Sequence, residues 1–109
     1  SDTFVQFANP LMMQLHWPAI FCNHLEVRDD VVVNYHLRQP DQKRQSVVAF
    51  KSLNFEVIAA GDSYNDTSML TEANHGILFR APENIQSEFP QFPAVTEFNE
   101  LMRLIEDRL

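Results

Sequence analysis

The stretch Phe55–Asp66, which reads FEVIAAGDSYND, decides the fold of this chain. Phe55–Ala60 is short and almost entirely apolar, as is typical of a strand buried in the middle of a parallel sheet. A Gly-Asp pair follows at once, and either Asn65 or Asp66 can then cap a helix. A strand that passes through a polar turn directly into a helix is the repeating unit of α/β proteins, so this stretch predicts that class.

Outward from this stretch, segments with a helical spacing of apolar residues alternate with short β-branched or apolar runs. The first predicted helix follows Thr3, with a Thr3–Gln6 capping box at its start and a kink or interruption at Pro10. A strand is predicted at Ala19–Cys22, and a hairpin over Leu25–Leu37 has its turn at Arg28–Asp30. The remaining predicted elements are helices at Gln42–Leu53 and Thr96–Arg108, a strand at Gly76–Phe79, and a loop at Pro82–Pro93 that contains one helical turn. This order predicts a Rossmann-like parallel sheet accompanied by a small β-hairpin.

The composition limits what the chain can be. Its 109 residues allow one domain or part of one, and a hydrophobic fraction of 45% excludes an obviously disordered chain. The formal net charge of −7 argues against a general nucleic-acid binder, which needs a basic face. No apolar run reaches the roughly 18 residues that suggest a membrane span. Cys22 is the only cysteine and cannot form an internal disulfide, which predicts a reducing, cytoplasmic location.

Two carboxylates, those of Asp62 and Asp66, follow the predicted central strand, with Asn65 beside them. In open α/β sheets, ligands bind at the carboxyl ends of the strands. Oxygen ligands of this kind suit Mg²⁺, which keeps several of its waters and commonly meets a phosphate. An alternative stays open here: Asp66 can be a helix cap and Gly61 a turn residue without any ligand, because these residue types are favoured in turns and caps.

Two further segments are able to meet an anion. Ser1–Thr3 precedes a predicted helix, where hydroxyl and backbone N–H groups can receive phosphate oxygens, although a serine there is usually only a cap. Lys43 and Arg44 open the helix predicted at Gln42–Leu53. Cations oppose the helix dipole at that end, so their placement hints at an anion nearby, although a surface lysine is usually only solvated.

The histidines and the cysteine offer no metal site of their own. No metal-ligand spacing connects the histidines, and no cysteine cluster accompanies them. The histidines are His16, His24, His36 and His75. Cys22 lies in an apolar run and is expected to pack as a small hydrophobic side chain.

Ser1, Lys43 and the run Gly61–Asp66, taken in this order, resemble motifs two, three and four of the haloacid-dehalogenase (HAD) superfamily of phosphohydrolases. The resemblance is closer to one family within it, the bacterial ThrH-type phosphoserine phosphatases and homoserine phosphotransferases. The segments that carry it span essentially the whole chain and are SDTF (1–4), KRQSV (43–47), VIAAGDSYND (57–66), GILF (76–79), APEN (81–84) and EFPQFPAV (88–95). It implies a HAD-like Rossmannoid sheet that is incomplete in this chain.

The resemblance also implies roles for individual residues. Ser1 would hydrogen-bond the transferring phosphoryl group, and Lys43 would neutralise its charge. Asp62 would be the Mg²⁺ ligand, and Asp66 would support the water shell of the metal. The remaining contacts to substrate or phosphate would come from Asp2 and Asn65. The implied reaction is hydrolysis of O-phosphoserine in serine biosynthesis, with phosphotransfer to homoserine as a second reaction, through an aspartyl-phosphate.

The nucleophile motif of that family, an Asp-x-Asp/Glu-x-Thr/Val segment, does not occur in the sequence. The chain also begins at Ser1 without a methionine or a secretory leader, so we expect residues 1–109 to be the C-terminal part of a single HAD-like core domain. The resemblance places the nucleophile strand, the helical cap segment and the strand leading into Ser1 upstream. Both missing strands would lie between those at Ala19–Cys22 and Phe55–Ala60, which leaves strand edges unpaired. We therefore expect the chain alone to be inactive and aggregated, molten or domain-swapped, and to be able to associate with itself or with the missing N-terminal segment.

Two other functions stay open. The chain could be a non-catalytic module that only associates with another chain or with its missing half. It could also belong to a HAD phosphatase with a different small phosphorylated substrate, because the substrate-selecting cap is absent from the sequence. The expected partner in the favoured reading is a small phosphorylated amino acid, with neither nucleic acid nor membrane involved.

Overall fold

A computed structural model describes all residues from Ser1 to Leu109, which form two compact units, Ser1–Gln42 and Lys43–Leu109. The interpretation of the chain as part of one core domain stays a prediction. The first unit contains helix α1 (Val5–Gln14) and strands β1 (His24–Arg28) and β2 (Val31–His36). Helix α2 (Gln42–Ser52) leads into the second unit, which contains β3 (Ile58–Gly61), α3 (Tyr64–Glu72), β4 (His75–Phe79), α4 (Glu83–Glu88), β5 (Ala94–Val95) and α5 (Phe98–Glu106).

Helix α1 begins differently from the prediction. Phe4 is its N-cap and no side chain caps it, so the predicted Thr3–Gln6 capping box is wrong. The amide of Gln6 is used elsewhere: its Nε2 donates to the Leu25 carbonyl oxygen at 2.8 Å, and its Oε1 accepts from the Leu25 N–H at 2.9 Å. Both backbone groups of a buried β1 residue are thereby satisfied. The helix is not interrupted at Pro10; of the two outcomes predicted there, the kink stays a prediction.

The predicted strand at Ala19–Cys22 is wrong, because these residues form no strand in the structure. Asn23, the next residue, instead makes a parallel bridge with Phe4. Its N–H donates to the Thr3 carbonyl at 2.9 Å, and its own carbonyl accepts from Val5 at 2.9 Å. An apolar run becomes a strand only where neighbouring backbone offers hydrogen bonds. In this unit those hydrogen bonds are made by Asn23, the polar residue that follows the run.

The hairpin is confirmed. Strands β1 and β2 pair antiparallel, with a register shift between Glu26 and Val27. Asp29 and Asp30 connect them with φ values of 50° and 60°. Two consecutive left-handed residues are the signature of a type I′ turn, whose twist matches that of paired strands, and aspartate tolerates this conformation better than most residues.

The second unit is built on the predicted parallel sheet, with strand order β3-β4-β5. One packed cluster in its buried core consists of Ala59, Leu70, Leu78, Ala81 and Ile85, and Val47 and Ile77 are buried as well. Strand β3 starts at Ile58 rather than at Phe55, and the two-residue strand β5 follows the predicted loop, which was expected to end at Pro93. Pairing of β3 with β4 begins at Ile58, opposite His75, and the Val57 N–H just before it donates to the Asn74 side-chain oxygen at 2.9 Å. None of the helices is both long and apolar enough to cross a membrane.

Candidate functional site

The turn between β3 and α3 is held together by the carboxylate of Asp66. Ser63 is the N-cap of α3, and Asp66 occupies the third helical position. Asp66 Oδ2 accepts hydrogen bonds from the backbone N–H of Asp62 at 3.0 Å and of Ser63 at 3.3 Å. The N-cap is therefore neither Asn65 nor Asp66, but Asp66 does cap the helix as the third residue of a capping box, because its carboxylate reaches back from inside the first turn to the N–H groups before it.

Gly61 makes this closed turn possible. A Cβ atom at residue 61 would lie 2.6 Å from both Cγ and Oδ2 of Asp66, which is far inside van der Waals contact. The φ angle of Gly61 is not positive, so the backbone conformation itself would admit other residues. The glycine is required by the close approach of the Asp66 side chain.

The second oxygen of the same carboxylate holds Lys43, the second residue of α2. Lys43 Nζ lies 2.7 Å from Asp66 Oδ1, and the two side chains are only 19% and 8% exposed. Arg44 and Lys51 of α2 both pair with Glu72 of α3, at 3.0 Å and 3.2 Å. Lys43 and Arg44, whose charges oppose the dipole of α2, are thus paired with carboxylates of α3, whereas Lys51 lies in the last turn, where a cation is favoured.

The ionisation of Asp66 reflects these contacts. Burial alone would raise the pKa of the Asp66 carboxyl, because it disfavours the charged form. The hydrogen bond and charge of Lys43, together with the N–H groups of Asp62 and Ser63, outweigh burial and leave that pKa below its ordinary value. Asp66 is therefore an anion at neutral pH with both oxygens engaged.

Asp62 and Asn65 are exposed, and their side chains make no hydrogen bond within the chain. The carboxylate of Asp62 has the donor chemistry that Mg²⁺ prefers. Because the oxygens of Asp66 are occupied, and the chain holds no group of three side chains able to bind a metal, Asp62 fits as a single protein ligand. That arrangement suits Mg²⁺, which keeps waters and binds through one or two carboxylates plus a phosphate.

Ser1 and Asp2 belong to the first unit, whereas Lys43 and Asp66 belong to the second. The Ser1 amino group donates to the Phe21 carbonyl at 2.8 Å, and Ser1 Oγ accepts from the Thr3 N–H at 3.3 Å. Asp2 Oδ1 accepts from Gln42 Nε2 at 3.3 Å. The catalytic roles of both residues stay predictions.

A buried polar network in the first unit was not predicted from the sequence. Gln42 Nε2 donates to Asn23 Oδ1 at 3.0 Å, and both residues are buried. Asn23 Nδ2 in turn donates to the Asp2 carbonyl at 3.1 Å. The network fixes the backbone at Asp2 and the first residue of α2. No periodicity or motif marks such pairs, since the partners are about twenty residues apart.

Arg80 was also missed, although one signal could have found it. It is a charged residue directly after the apolar strand β4, at the same edge of the sheet as Asp62. Ala60, Gly61, Asp62, Phe79 and Arg80 together line an open hollow of about 320 Å³. The hollow lies at the carboxyl ends of β3 and β4, where ligands bind in open α/β sheets.

Comparison with known proteins supports the predicted resemblance. No protein-family model matches the sequence. The chain is 64% identical over 104 residues to phosphoserine phosphatase ThrH of Pseudomonas aeruginosa, a match that covers 94% of this chain and 51% of that protein. It is 61% identical over 104 residues to a phosphoserine phosphatase of Pseudomonas syringae pv. tomato, covering 94% and 44%. The chain thus spans about half the length of the curated relatives it matches.

The fold has a close counterpart among solved structures. A HAD-family hydrolase from Salmonella enterica serovar Typhi superposes with a TM-score of 0.79 at 28% identity. The superposition covers 100% of this chain and 40% of the hydrolase. The predicted α/β class, with a HAD-like parallel sheet that is only part of the larger fold, is confirmed.

Proposed function

Because this chain is homologous to about half the length of proteins named phosphoserine phosphatase and folds like part of a HAD-family hydrolase, we propose that it contributes to a phosphomonoester hydrolase acting on O-phosphoserine. The structural observation that carries the proposal is the Lys43–Asp66 pair at the carboxyl end of β3. It holds a cation beside an exposed carboxylate, Asp62, in a turn that faces solvent.

Lys43 neutralises the charge of the phosphoryl group. Phosphoryl transfer depends mainly on positioning and on stabilising negative charge, so a fixed cation is the main contribution that a side chain can make. An ammonium group carries three N–H donors, so a bond to Asp66 is compatible with one to a phosphoryl oxygen. Asp66 acts through Lys43 and through the turn, and is a positioning residue.

Asp62 is the residue of this chain that would hold Mg²⁺, with water and phosphate oxygens completing its coordination. When bound, the ion would neutralise charge on the phosphoryl oxygens. Asn65 is exposed one residue before Asp66 and can donate to a substrate or phosphate oxygen. Ser1 and Asp2 contribute further contacts to phosphate and substrate.

The nucleophilic aspartate of the implied aspartyl-phosphate lies outside these 109 residues, so activity requires the segment that supplies it. Pairing with that segment is the association that we propose for this chain, with a phosphorylated amino acid as its small-molecule partner. Serine biosynthesis, phosphotransfer to homoserine and a cytoplasmic location follow as finer parts of the same proposal.

The test compares three preparations: the chain alone, the chain mixed with the segment encoded upstream, and the complete gene product. Release of phosphate from O-phospho-L-serine is measured with and without Mg²⁺. We expect activity only where the upstream segment is present. The Asp62→Asn and Lys43→Met variants of the complete gene product should each lose about a hundredfold or more in kcat/KM.

The outcomes separate the open alternatives. Hydrolysis of other phosphomonoesters but not of phosphoserine would keep the phosphatase and reject its substrate. Association with the upstream segment without hydrolysis of any ester would favour the non-catalytic module. Full activity of the Asp62→Asn variant would reject the metal assignment.

A further inference from the structure

Arg80 and Asp62 follow neighbouring parallel strands at the same edge of the sheet, but Arg80 has no role in the proposed chemistry. Strands β3 and β4 are parallel, with Gly61 opposite Leu78, so the residues that follow them emerge at the same edge. Asp62 and Arg80 accordingly line the same open hollow. A cation and an anion that share a hollow at this edge can contact different parts of one ligand.

The guanidinium group of Arg80 is held in place before any ligand arrives. It lies over the rings of Phe79 and Phe98, with 4.9 Å and 4.6 Å from Cζ to the ring centroids. Its Nε donates to the Thr96 carbonyl at 2.8 Å. Stacking and this one hydrogen bond fix the plane of the group, so little side-chain entropy is lost when it binds something else.

The outer face of the same group remains available. Arg80 is exposed, and neither Nη1 nor Nη2 makes a hydrogen bond within the chain. Four N–H donors in a fixed planar fork match the two oxygens of a carboxylate or phosphate. The only carboxylate lining the hollow, that of Asp62, makes no ion pair with Arg80.

The backbone of Arg80 is also constrained. Its φ of 56° lies in the left-handed region, which an arginine adopts at an energetic cost. The conformation is maintained by the β-ladder, because the Arg80 N–H donates to the Val95 carbonyl at 2.9 Å. A residue held in an unfavourable conformation at the ligand-binding edge of a sheet is a candidate for function.

We propose that Arg80 binds an oxyanion of the ligand, a carboxylate or a phosphate group, at the carboxyl edge of the sheet. The proposal rests on the proposed function for the ligand class, a small phosphorylated amino acid, and adds a residue that determines its affinity. If that oxyanion is the carboxylate, the ligand spans the hollow from Arg80 to a phosphoryl group near Asp62; if it is the phosphate, Arg80 and Asp62 flank the phosphoryl group itself.

The test uses the complete gene product that contains this chain, as wild type and as Arg80→Gln and Arg80→Lys. Calorimetry without divalent metal, so that no ester is turned over, measures the dissociation constants of inorganic phosphate, O-phospho-L-serine and O-phosphoethanolamine. We expect Arg80→Gln to bind O-phospho-L-serine about ten- to a hundredfold more weakly, as loss of a charged bidentate contact predicts. Arg80→Lys should fall between, since it keeps the charge but not the planar fork.

The ligands distinguish the two sources of the oxyanion. If Arg80 binds the carboxylate, only O-phospho-L-serine is affected, because O-phosphoethanolamine lacks that group. If it binds the phosphate, all three ligands weaken together. Arg103→Gln is the matched control, since it removes the same charge from an exposed position on α5 that does not line the hollow.

A purely structural role gives a different result. Arg80→Gln would then lower the melting temperature by about as much as Phe98→Leu, which removes one of the two rings under the guanidinium group, and leave every dissociation constant equal to that of Arg103→Gln. That result, or a wild type that binds none of the three ligands, overturns the proposal. If the wild type binds phosphate but hydrolyses no ester with Mg²⁺, the proposed function fails, while the affinities of the Arg80 variants still decide this inference.

Discussion

Gly61 and Asp66 approach so closely that a Cβ atom on residue 61 would lie 2.6 Å from the carboxylate oxygen Oδ2 of Asp66. This oxygen accepts the N–H groups of Asp62 and Ser63, and the other oxygen of the carboxylate holds Lys43. The shape of the turn and the position of the lysine are therefore set by one side chain. Each can be tested by a substitution.

Gly61→Ala should lower the free energy of unfolding by about 1 to 3 kcal/mol, because the new methyl group cannot fit against Asp66. It should also lower activity, since the displaced carboxylate no longer holds Lys43. Urea denaturation of the complete gene product measures the first effect, and phosphate release from O-phospho-L-serine the second.

The control places Gly61→Ala in an Asp66→Gly background. With the Asp66 side chain removed, the added methyl group meets none of the atoms that opposed it, so the cost of Gly61→Ala should largely disappear. An unchanged cost in that background would show that the glycine is needed for another reason.

The contact between Lys43 and Asp66 should appear as a coupling energy in a double-mutant cycle. We expect Lys43→Met and Asp66→Asn each to destabilise the protein by about 2 kcal/mol, because each removes one charge of a largely buried ion pair. The double mutant should recover about 1 to 2 kcal/mol of the sum. The matched cycle of Arg44→Met with Asp66→Asn should show no coupling, since Arg44 pairs with Glu72; equal coupling in both cycles would contradict the assignment.

Mg²⁺ should stabilise the folded protein through Asp62. A ligand that binds only the native state raises the melting temperature as its concentration passes its dissociation constant. We expect this rise in the wild type and its loss in Asp62→Asn, measured by calorimetric melting with Mg²⁺ added after treatment with a chelator. Ser63→Ala, which leaves the carboxylate in place, serves as the control, and an undiminished rise in Asp62→Asn would contradict the role.

The pH dependence of stability should include a contribution from Glu72. A hydrogen bond from Lys51, assisted by the charges of Lys51 and Arg44 and opposed by partial desolvation, holds the pKa of Glu72 below its ordinary value of 4.5. A lowered carboxyl pKa stabilises the folded state above the unfolded pKa, and this stabilisation is lost as pH falls through the folded pKa.

Glu72→Gln should therefore be less stable than wild type at neutral pH, by an amount that shrinks as pH falls below 4.5 and as salt is added. Denaturation curves at several pH values measure the difference. Glu106→Gln removes the same charge from a residue without an ion pair, so its effect should change much less. A difference that does not depend on pH would contradict the linkage.

Gln6 should protect the backbone of β1. Gln6→Ala removes the partners of both the N–H and the carbonyl of buried Leu25, which predicts a loss of about 1 to 3 kcal/mol. The Leu25 amide should exchange with deuterium markedly faster in this variant. Gln14→Ala, an exposed glutamine in the same helix, should leave that exchange rate unchanged.

Features that depend on local pattern could be predicted from the sequence. The apolar run before Gly61, the helical spacing in α2 and α5, and the β-branched hairpin each specify their element through neighbouring residues. Features that depend on a distant partner could not. Ala19–Cys22 is apolar enough for a strand, yet a strand needs a neighbouring backbone, which the segment itself does not encode.

In the candidate site, too, the features set by a local pattern could be predicted from the sequence, and those set by a distant partner could not. Asp62, Asn65 and Asp66 could be identified from one motif, and Lys43 from its unfavourable position at a helix start. The direct bond between Lys43 and Asp66 joins residues 23 positions apart. The orientation of Arg80 depends on the rings and carbonyl around it, and no local pattern carries that information.

Asp66 both closes the first turn of α3 and holds Lys43. The site therefore forms only when that part of the chain folds. The Asp66 carboxylate can hold Lys43 in place only once the first turn of α3 has formed, because the same group closes that turn. Before that turn forms, Asp66 does not order Lys43. A nascent or locally opened molecule thus lacks the ordered cation on which the proposed phosphoryl transfer depends.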